Sequence, residues 1–290
     1  MNFLYKKIGH YLSLVKFSHT VFSMPFALIG FFSAVTDYHK KMDPFLFIKV
    51  VLCVIFARSA AMGFNRYADR HFDAKNDRTR MRDIPAGTVK PTSALWFVIL
   101  NAILFCAVTY SINNLCFYLS PVALFVILSY SLTKRFTMLC HLVLGVGLSL
   151  APIGAYLAVS GKFDLLPLLF SFAVLFWVGG FDIIYALQDV DFDNMFKLKS
   201  IPAVTGKKVA ISISILFHTL SSLFIIYAGM YRHFGLLYLI GSVLFISLLI
   251  YQHLQVKADN LSRVNLGFFT TNGIASLVFA AFTIADLYFK

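Results

Sequence analysis

Runs of about 20 apolar residues, the length that spans a membrane as a helix, follow one another along almost the whole chain. Charged residues, Pro and Gly separate these runs. We predict nine transmembrane helices and a single all-α integral membrane domain covering residues 1–290. The predicted segments are 17–36, 45–64, 93–112, 115–132, 138–159, 165–187, 209–230, 234–254 and 266–287.

The composition supports a membrane protein. Hydrophobic residues make up 59% of the chain and charged residues 13%, with a mean hydropathy of +0.79. The net charge of +12 would suit nucleic acid only if a soluble domain carried a basic patch, and the sequence contains no such domain. We therefore expect the lipid bilayer as the environment and no nucleic-acid partner.

The basic residues are distributed unevenly between the two sides of the predicted bundle. The N-terminus and the loops after helices two, four, six and eight contain 18 Lys and Arg, against 6 on the other side. This bias predicts a multi-pass protein of the inner (cytoplasmic) membrane with its N-terminus and even-numbered loops in the cytoplasm. Lys6, Lys7 and Lys16 precede the first segment without a convincing cleavage site, so that segment is expected to stay as a helix.

Acidic residues are rare and clustered. All 13 are Asp, and five of them belong to two motifs on the predicted cytoplasmic side. Residues four apart share a helix face, so each motif is predicted to form a stripe along one helix. The motifs are Asn65-Arg66-x-x-Asp69-x-x-x-Asp73 after the second segment and Asp182-x-x-Tyr185-x-x-x-Asp189-x-x-x-Asp193 at the sixth.

Carboxylates gathered at the edge of a membrane need counter-charge. Mg²⁺ supplies it when one or two carboxylates bind the ion and phosphate oxygens and water complete its shell. The alternative is a solvated helix end that forms salt bridges to nearby Arg and Lys. Two such motifs on the same face favour the metal site.

Basic residues close to these motifs are candidates for binding a diphosphate. Planar guanidinium groups match phosphate oxygens, and Lys acts as a point charge. For any single residue, the ordinary excess of positive charge in cytoplasmic loops is an equally good explanation. The candidates are Arg66, Arg78, Arg82, Lys134, Arg135 and Lys199.

Arg58 lies inside the second apolar segment, seven residues before Asn65 and on the same helix face. A buried Arg in a membrane helix is costly and normally faces a cavity or a partner. It either pairs with an aspartate such as Asp182 or serves as the counter-ion of an anionic substrate, for example an aromatic carboxylate. We favour the second interpretation.

These motifs resemble those of the UbiA superfamily of intramembrane aromatic prenyltransferases. N-x-x-x-D-x-x-x-D matches at Asn65, and D-x-x-Y-A-x-x-D-x-x-x-D matches at Asp182. Residues 130–137 are similar to the basic segment after the fourth helix of the family, with Ser131 where Pro is usual. Lys197 replaces a usual Gly. The resemblance covers the whole chain and implies nine helices around a central cavity.

The resemblance also implies roles for individual residues. Lys134 and the neighbouring arginines are expected to take up charge on a departing diphosphate, with Asn65 assisting. Arg58 and Tyr185 are expected at the acceptor, and Asp182 close enough to influence its ring. The implied donor is a polyprenyl diphosphate. The residues implied to be catalytic and to bind Mg²⁺ are Asp69, Asp73, Asp189 and Asp193. Asp182 is implied to be catalytic as well.

The acceptor remains open at this stage. The chain most resembles enzymes that prenylate 4-hydroxybenzoate, an aromatic carboxylic acid, for ubiquinone. The stretch Arg82-Asp83-Ile84-Pro85-Ala86-Gly87 is also similar to the branch that prenylates 1,4-dihydroxy-6-naphthoate in the futalosine route to menaquinone. A cation-coupled transporter, the alternative from another class, would place its acids near the bilayer midplane, whereas these lie at helix ends beside a basic loop.

Overall fold

The computed structural model describes Leu14, residues 22–256 and residues 271–289, and the regular elements within them are helices. Eight helical stretches in these ranges are long and apolar enough to cross a membrane, and α1 is a shorter apolar helix. The helices are α1 (Met24–Asp37), α2 (Pro44–Ala68), α3 (Arg70–Asp73), α4 (Pro91–Tyr110), α5 (Asn114–Thr133), α6 (Cys140–Ser160), α7 (Leu165–Ala186), α8 (Val190–Met195), α9 (Ile201–Thr205), α10 (Lys207–Arg232), α11 (Leu236–Gln255) and α12 (Asn272–Phe289).

The predicted all-α membrane fold is confirmed, and each of the nine apolar segments overlaps one of the longer helices. A short turn separates the third and fourth segments, and in it the side chain of Asn113 caps α5 by accepting from Cys116 N at 2.8 Å. Residues 17–21, residues 266–270 and the three N-terminal lysines lie outside the described residues, so the predictions for them stay predictions.

The helices pack as two groups that share α6. Helices α2, α4 and α5 contact one another, while α1, α6, α7, α10, α11 and α12 form a ring of successive contacts. The ring surrounds Trp177, which is fully buried against Phe26 and Phe245 and donates from Nε1 to Asn272 Oδ1 at 2.9 Å. Aromatic packing and one satisfied polar group therefore fix the centre of this half of the molecule.

Two glycines let α6 lie very close to its neighbours. Gly30 of α1 faces the backbone of Pro152 in α6, and Gly145 of α6 faces the backbone of Leu175 in α7. A Cβ atom at either glycine would overlap that backbone. Small residues are used in this way where membrane helices cross closely. This close packing fixes α6 and α7, which form one side of the cavity described next.

A cavity of about 580 Å³ lies between α2, α5, α6 and α7. Most of its wall is apolar, with side chains such as Met62, Leu119, Ile127 and Leu148. Polar and charged side chains gather at the end where α2, α5 and α7 terminate and α6 begins. The molecule thus combines an apolar chamber with one strongly charged end.

Candidate active site

Each aspartate motif lies where a membrane helix is interrupted. Helix α2 ends at Ala68, Asp69 has φ −92° and ψ 3°, and α3 begins at Arg70. Similarly, α7 gives way to a 3₁₀ turn at Leu187–Asp189 before α8. Each predicted stripe therefore contains a break, although the Asp69 N–H still donates to the Asn65 carbonyl at 3.0 Å and the Asp73 N–H to the Asp69 carbonyl at 2.8 Å. Asp is a weak helix former, and negative charge is unfavourable at the C-terminal end of a helix.

The first motif is held together by contacts from its own helix and from two loops. Asn65 Nδ2 donates to Asp69 Oδ2 at 3.0 Å, and Arg135 Nη2 lies 3.4 Å from Asp69 Oδ1. Arg82 Nη1 donates to Asp73 Oδ1 at 2.7 Å. Burial and the neighbouring Asp73 raise the pKa of Asp69 to about 6, despite the opposing charge of Arg135.

One carboxylate oxygen of Asp73 has no hydrogen-bond partner among the described residues. This atom, Oδ2, is buried. A buried carboxylate oxygen in this state costs free energy unless a cation or a donor binds it. The atom lies on the charged end of the cavity, where it suits a hard divalent cation.

The second motif is reached by the loop that follows α3. Arg78 pairs with Asp189 through both Nε and Nη2, and its guanidinium lies over the ring of Tyr185 at 4.9 Å from the centroid. Asn76 Nδ2 also donates to Asp189 Oδ1 at 3.2 Å. Burial lowers the pKa of Arg78, but Tyr185 and Asp189 outweigh this and raise it. This loop therefore joins the two motifs directly.

Asp193 is the most enclosed of the four candidate metal ligands. Lys134 Nζ lies 2.7 Å from its Oδ1, and Ser200 Oγ donates to its Oδ2 at 2.7 Å. Burial lowers the pKa of Lys134, but the charge and hydrogen bond of Asp193 reverse this and raise it. The Lys199 N–H donates to the Lys134 carbonyl at 2.7 Å, which holds the two loops together.

Two arginines in the cavity wall form no ion pair within the described part of the chain. Arg66 is only 6% exposed, and the Nε atom of Arg58 is buried without a hydrogen-bond partner there. Both line the cavity, together with Tyr130. The ion pair between Arg58 and an aspartate, which the sequence left open, is not formed among these residues. These two guanidinium groups are therefore available to an anionic ligand.

Asp182 has a partner that the sequence did not single out. His141 Nδ1 lies 2.7 Å from Asp182 Oδ2, and both side chains line the cavity. The two residues are 41 positions apart, so no local spacing connects them. Asn76 was also missed. Its amide oxygen accepts from Arg78 N at 2.9 Å, and an Asn two residues before Arg78 in a polar loop is a recognisable turn signal.

The structure brings nearly all of the predicted site residues to one cavity, and Lys199 is the exception because its side chain is exposed and away from the lining. Within the described ranges, no three acidic, His or Cys side chains are gathered closely enough to hold a metal ion as they stand. The predicted residues that line the cavity are Arg58, Asn65, Arg66, Asp69, Asp73, Arg78, Arg82, Lys134, Arg135, Asp182, Tyr185, Asp189 and Asp193.

An all-helical membrane bundle with paired carboxylates and cations at one end of an apolar chamber is the architecture of an intramembrane site for a ligand with a charged head and an apolar tail. The model of the UbiA prenyltransferase family matches residues 23–274, and the chain belongs to that family. The chain is therefore a prenyltransferase, as its motifs predicted, and the transporter alternative is set aside.

Individual relatives agree with this assignment. The 4-hydroxybenzoate octaprenyltransferase of Tolumonas auensis is 32% identical over 233 residues, which cover 80% of this chain and 81% of the relative. A UbiA homologue from Aeropyrum pernix K1 superimposes with a TM-score of 0.79 at 29% identity, covering 92% of this chain and 96% of the other. A UbiA homologue from Archaeoglobus fulgidus bound to DMAPP and Mg²⁺ shares the fold, with a TM-score of 0.73, 20% identity and coverage of 96% and 98%.

Proposed function

We propose that this protein transfers a polyprenyl group from a polyprenyl diphosphate to 4-hydroxybenzoate, with Mg²⁺ as cofactor, as a step in quinone biosynthesis. The observation that carries the proposal is the cavity itself, which has four aspartate–cation pairs at one end and apolar walls elsewhere. A prenyl diphosphate joins a highly charged head to an apolar tail and matches both parts. The name of the relative from Tolumonas auensis supports the acceptor.

The carboxylates at the charged end fit a divalent metal ion. Asp69, Asp73, Asp189 and Asp193 supply hard oxygen donors from two facing motifs, and Asp73 Oδ2 already lacks a partner among the described residues. Bound Mg²⁺ would neutralise charge on the diphosphate and make it a better leaving group. A metal ion needs no new residue here, because the aspartates only have to exchange their present cationic partners.

The displaced cations then have a second role. Arg78, Arg82, Lys134 and Arg135 now neutralise carboxylates, and all four line the same cavity. With the carboxylates engaged by a bound metal ion, these side chains would be free to bind phosphate oxygens. Arg66 is already without an ion pair in the described structure, and we assign it to the diphosphate. Fixed positive groups of this kind stabilise the charge that develops on the departing diphosphate.

Arg58 marks the acceptor end of the reaction chamber. It lies in α2 about two turns deeper than Asn65, within the apolar part of the wall. A carboxylate on an aromatic ring would satisfy its free guanidinium and direct the ring towards the charged end, where Tyr185 also lines the cavity. Apolar walls hold both substrates together and keep water away from an allylic cation.

The remainder of a long prenyl chain belongs in the bilayer. A cavity of about 580 Å³ is in the range that encloses one small organic ligand. It cannot contain an aromatic acid and a complete polyprenyl tail together. We infer that the tail extends into lipid, which explains why the site is built inside a membrane protein. The excess of basic residues supports our proposal that the motif end lies on the cytoplasmic side of the inner membrane.

An assay with purified protein tests this function. Radiolabelled prenyl diphosphate is supplied with 4-hydroxybenzoate or with 1,4-dihydroxy-6-naphthoate, in Mg²⁺ or in EDTA. We expect labelled prenyl-hydroxybenzoate in Mg²⁺, its loss in EDTA and its return when Mg²⁺ is restored. Product from the naphthoate alone would instead indicate that the protein prenylates the naphthoate of the menaquinone branch. Absence of Mg²⁺-dependent product from either acceptor would refute the proposal.

A further inference from the structure

Asp182 is distinguished from the other cavity aspartates by its partner. The four aspartates of the metal proposal are paired with Arg or Lys, whereas Asp182 is bound by the imidazole of His141. We propose that Asp182 is the base that accepts the proton displaced from the aromatic ring and that His141 is the residue that positions it. This inference rests on the proposed prenylation of an aromatic acid.

The hydrogen bonds of His141 define its protonation. Its Nε2 lies 3.3 Å from the backbone nitrogen of Ile201, and a backbone N–H can only donate. Nε2 is therefore the acceptor, so the ring proton is on Nδ1. Nδ1 lies 2.7 Å from Asp182 Oδ2 and donates to it. Both ring nitrogens of His141 are thus satisfied, and one of them holds the carboxylate of Asp182 in place.

His141 is buried, whereas its partner Asp182 faces the cavity. His141 is 2% exposed and lies at the start of α6, while the side chain of Asp182 is 24% exposed and lines the cavity. Asp182 Oδ1 receives no hydrogen bond or ion pair from the residues described. One carboxylate oxygen is therefore fixed by His141, and the other remains available to a ligand in the cavity.

Asp182 is favoured as the proton acceptor because, among the described residues, no Arg or Lys is paired with it. Each of the four paired aspartates is engaged by an Arg or Lys, which suits metal and diphosphate chemistry. The imidazole of His141 orients Asp182 through one oxygen and leaves the other facing the cavity. Positioning of a carboxylate and an imidazole by each other is a recurring device of proton-transfer sites.

The proposed step balances as follows. An electron pair of the ring forms the bond to the first prenyl carbon, and the bond from that carbon to the diphosphate oxygen breaks with its pair leaving on the diphosphate. The attacked ring carbon, ortho to the phenol because the carboxylate occupies the para position, then carries an additional proton. Asp182 Oδ1 takes that proton, and the C–H electron pair restores the aromatic ring. The proton on His141 Nδ1 stays in place.

Two substitutions at His141 separate its two contacts. In His141→Asn the amide nitrogen replaces Nδ1, so the contact with Asp182 is kept and that with Ile201 is lost. In His141→Gln the amide reaches the place of Nε2, and the contact with Asp182 is lost. We expect His141→Gln to lower kcat by about 100-fold, in the range of general-base effects, and His141→Asn to retain most activity. The reverse order would overturn the positioning role.

An isotope effect reports on the proton itself. With 4-hydroxybenzoate deuterated ortho to the phenol, wild type should show little effect on kcat, because loss of the ring proton is fast. Asp182→Asn and His141→Gln should show a primary isotope effect, because loss of the ring proton then limits the rate. Slow variants without any isotope effect would overturn the assignment of Asp182 as base.

The matched control is His218, which is 3% exposed in α10 and bonded to His253 and the Trp177 carbonyl, away from the cavity lining. His218→Asn should leave kcat and the isotope effect unchanged. The experiment is run only on protein that prenylates 4-hydroxybenzoate. A wild type without activity would contradict the proposed function, whereas an active wild type with active Asp182→Asn would contradict only this inference.

Discussion

Aspartates at the two kinds of helix end behave differently in this protein. Asp43 caps the start of α2 by accepting from Phe45 N at 2.9 Å, and Asp164 caps the start of α7 by accepting from Leu165 N at 2.6 Å. Asp286 accepts from Gly235 N at 2.7 Å and from Tyr238 N at 3.2 Å at the start of α11. These carboxylates satisfy free N–H groups and lie where the helix dipole favours negative charge.

The motif aspartates occupy the opposite helix ends. Asp69 follows the last residue of α2, and Asp189 ends the 3₁₀ turn after α7. Each also precedes a short helix, but neither side chain caps a backbone N–H of that helix. Each carboxylate is instead paired with an Arg from another segment. The contrast separates aspartates that stabilise a helix start from motif aspartates that depend on distant cations in a cavity.

The largest expected effect comes from removing a motif aspartate. Asp69→Ala and Asp189→Ala should each reduce Mg²⁺-dependent turnover by at least about 1000-fold, since metal stabilisation of a leaving group contributes several kcal/mol. Both variants should remain folded in detergent, since each loses a single ion pair. Near-wild-type turnover in either variant would contradict metal binding at that position.

The arginines offer a parallel comparison. Arg58 has no ion-pair partner among the described residues, whereas Arg232 lies 2.6 Å from Asp37 at the other end of the bundle. Arg58→Ala should raise KM for 4-hydroxybenzoate about 10- to 100-fold, the value of a charge-assisted hydrogen bond, with KM for the donor little changed. Arg232→Ala is the control and should lower thermal stability with both KM values unchanged. Equal acceptor KM in wild type and Arg58→Ala would remove Arg58 from the acceptor site.

The aspartates at helix starts should show the opposite pattern from the motif. Asp286 is 2% exposed and accepts two backbone hydrogen bonds. Asp286→Asn replaces one acceptor oxygen with a donor, so we expect a loss of about 1–3 kcal/mol in the free energy of unfolding. Unfolding in detergent measures the loss, and the prenyltransfer assay should show activity retained at low temperature. A variant that is stable but inactive would contradict the separation of helix-capping aspartates from motif aspartates.

The smallest expected effect concerns the turn after the second motif. Lys197 has φ 54°, in the left-handed region, at the position where the family usually has Gly. A side chain there costs about 1 kcal/mol, so Lys197→Gly should raise the free energy of unfolding by that amount without changing kcat. A lower stability would show that the Lys197 side chain contributes a contact that outweighs the strain.

Much of the fold followed from the sequence because its signals are local. A run of apolar residues determines a membrane helix whatever its neighbours are, and Asn113 marks the turn before α5. The motif positions followed for the same reason, since spacing by four brings Asn65 next to Asp69. The helix breaks at Asp69 and Asp189 were not predicted, because the spacing by four of the motif residues continues through both positions.

The sequence by itself determined the membrane class, the helix order, the two motifs and the chemistry that they suggest. Only the tertiary structure decided which charges meet. Arg78 reaches Asp189 across 111 residues, and His141 reaches Asp182 across 41. These pairs depend on how α2, α5, α6 and α7 pack around one cavity, and electrostatic contacts follow distance in space rather than distance along the chain.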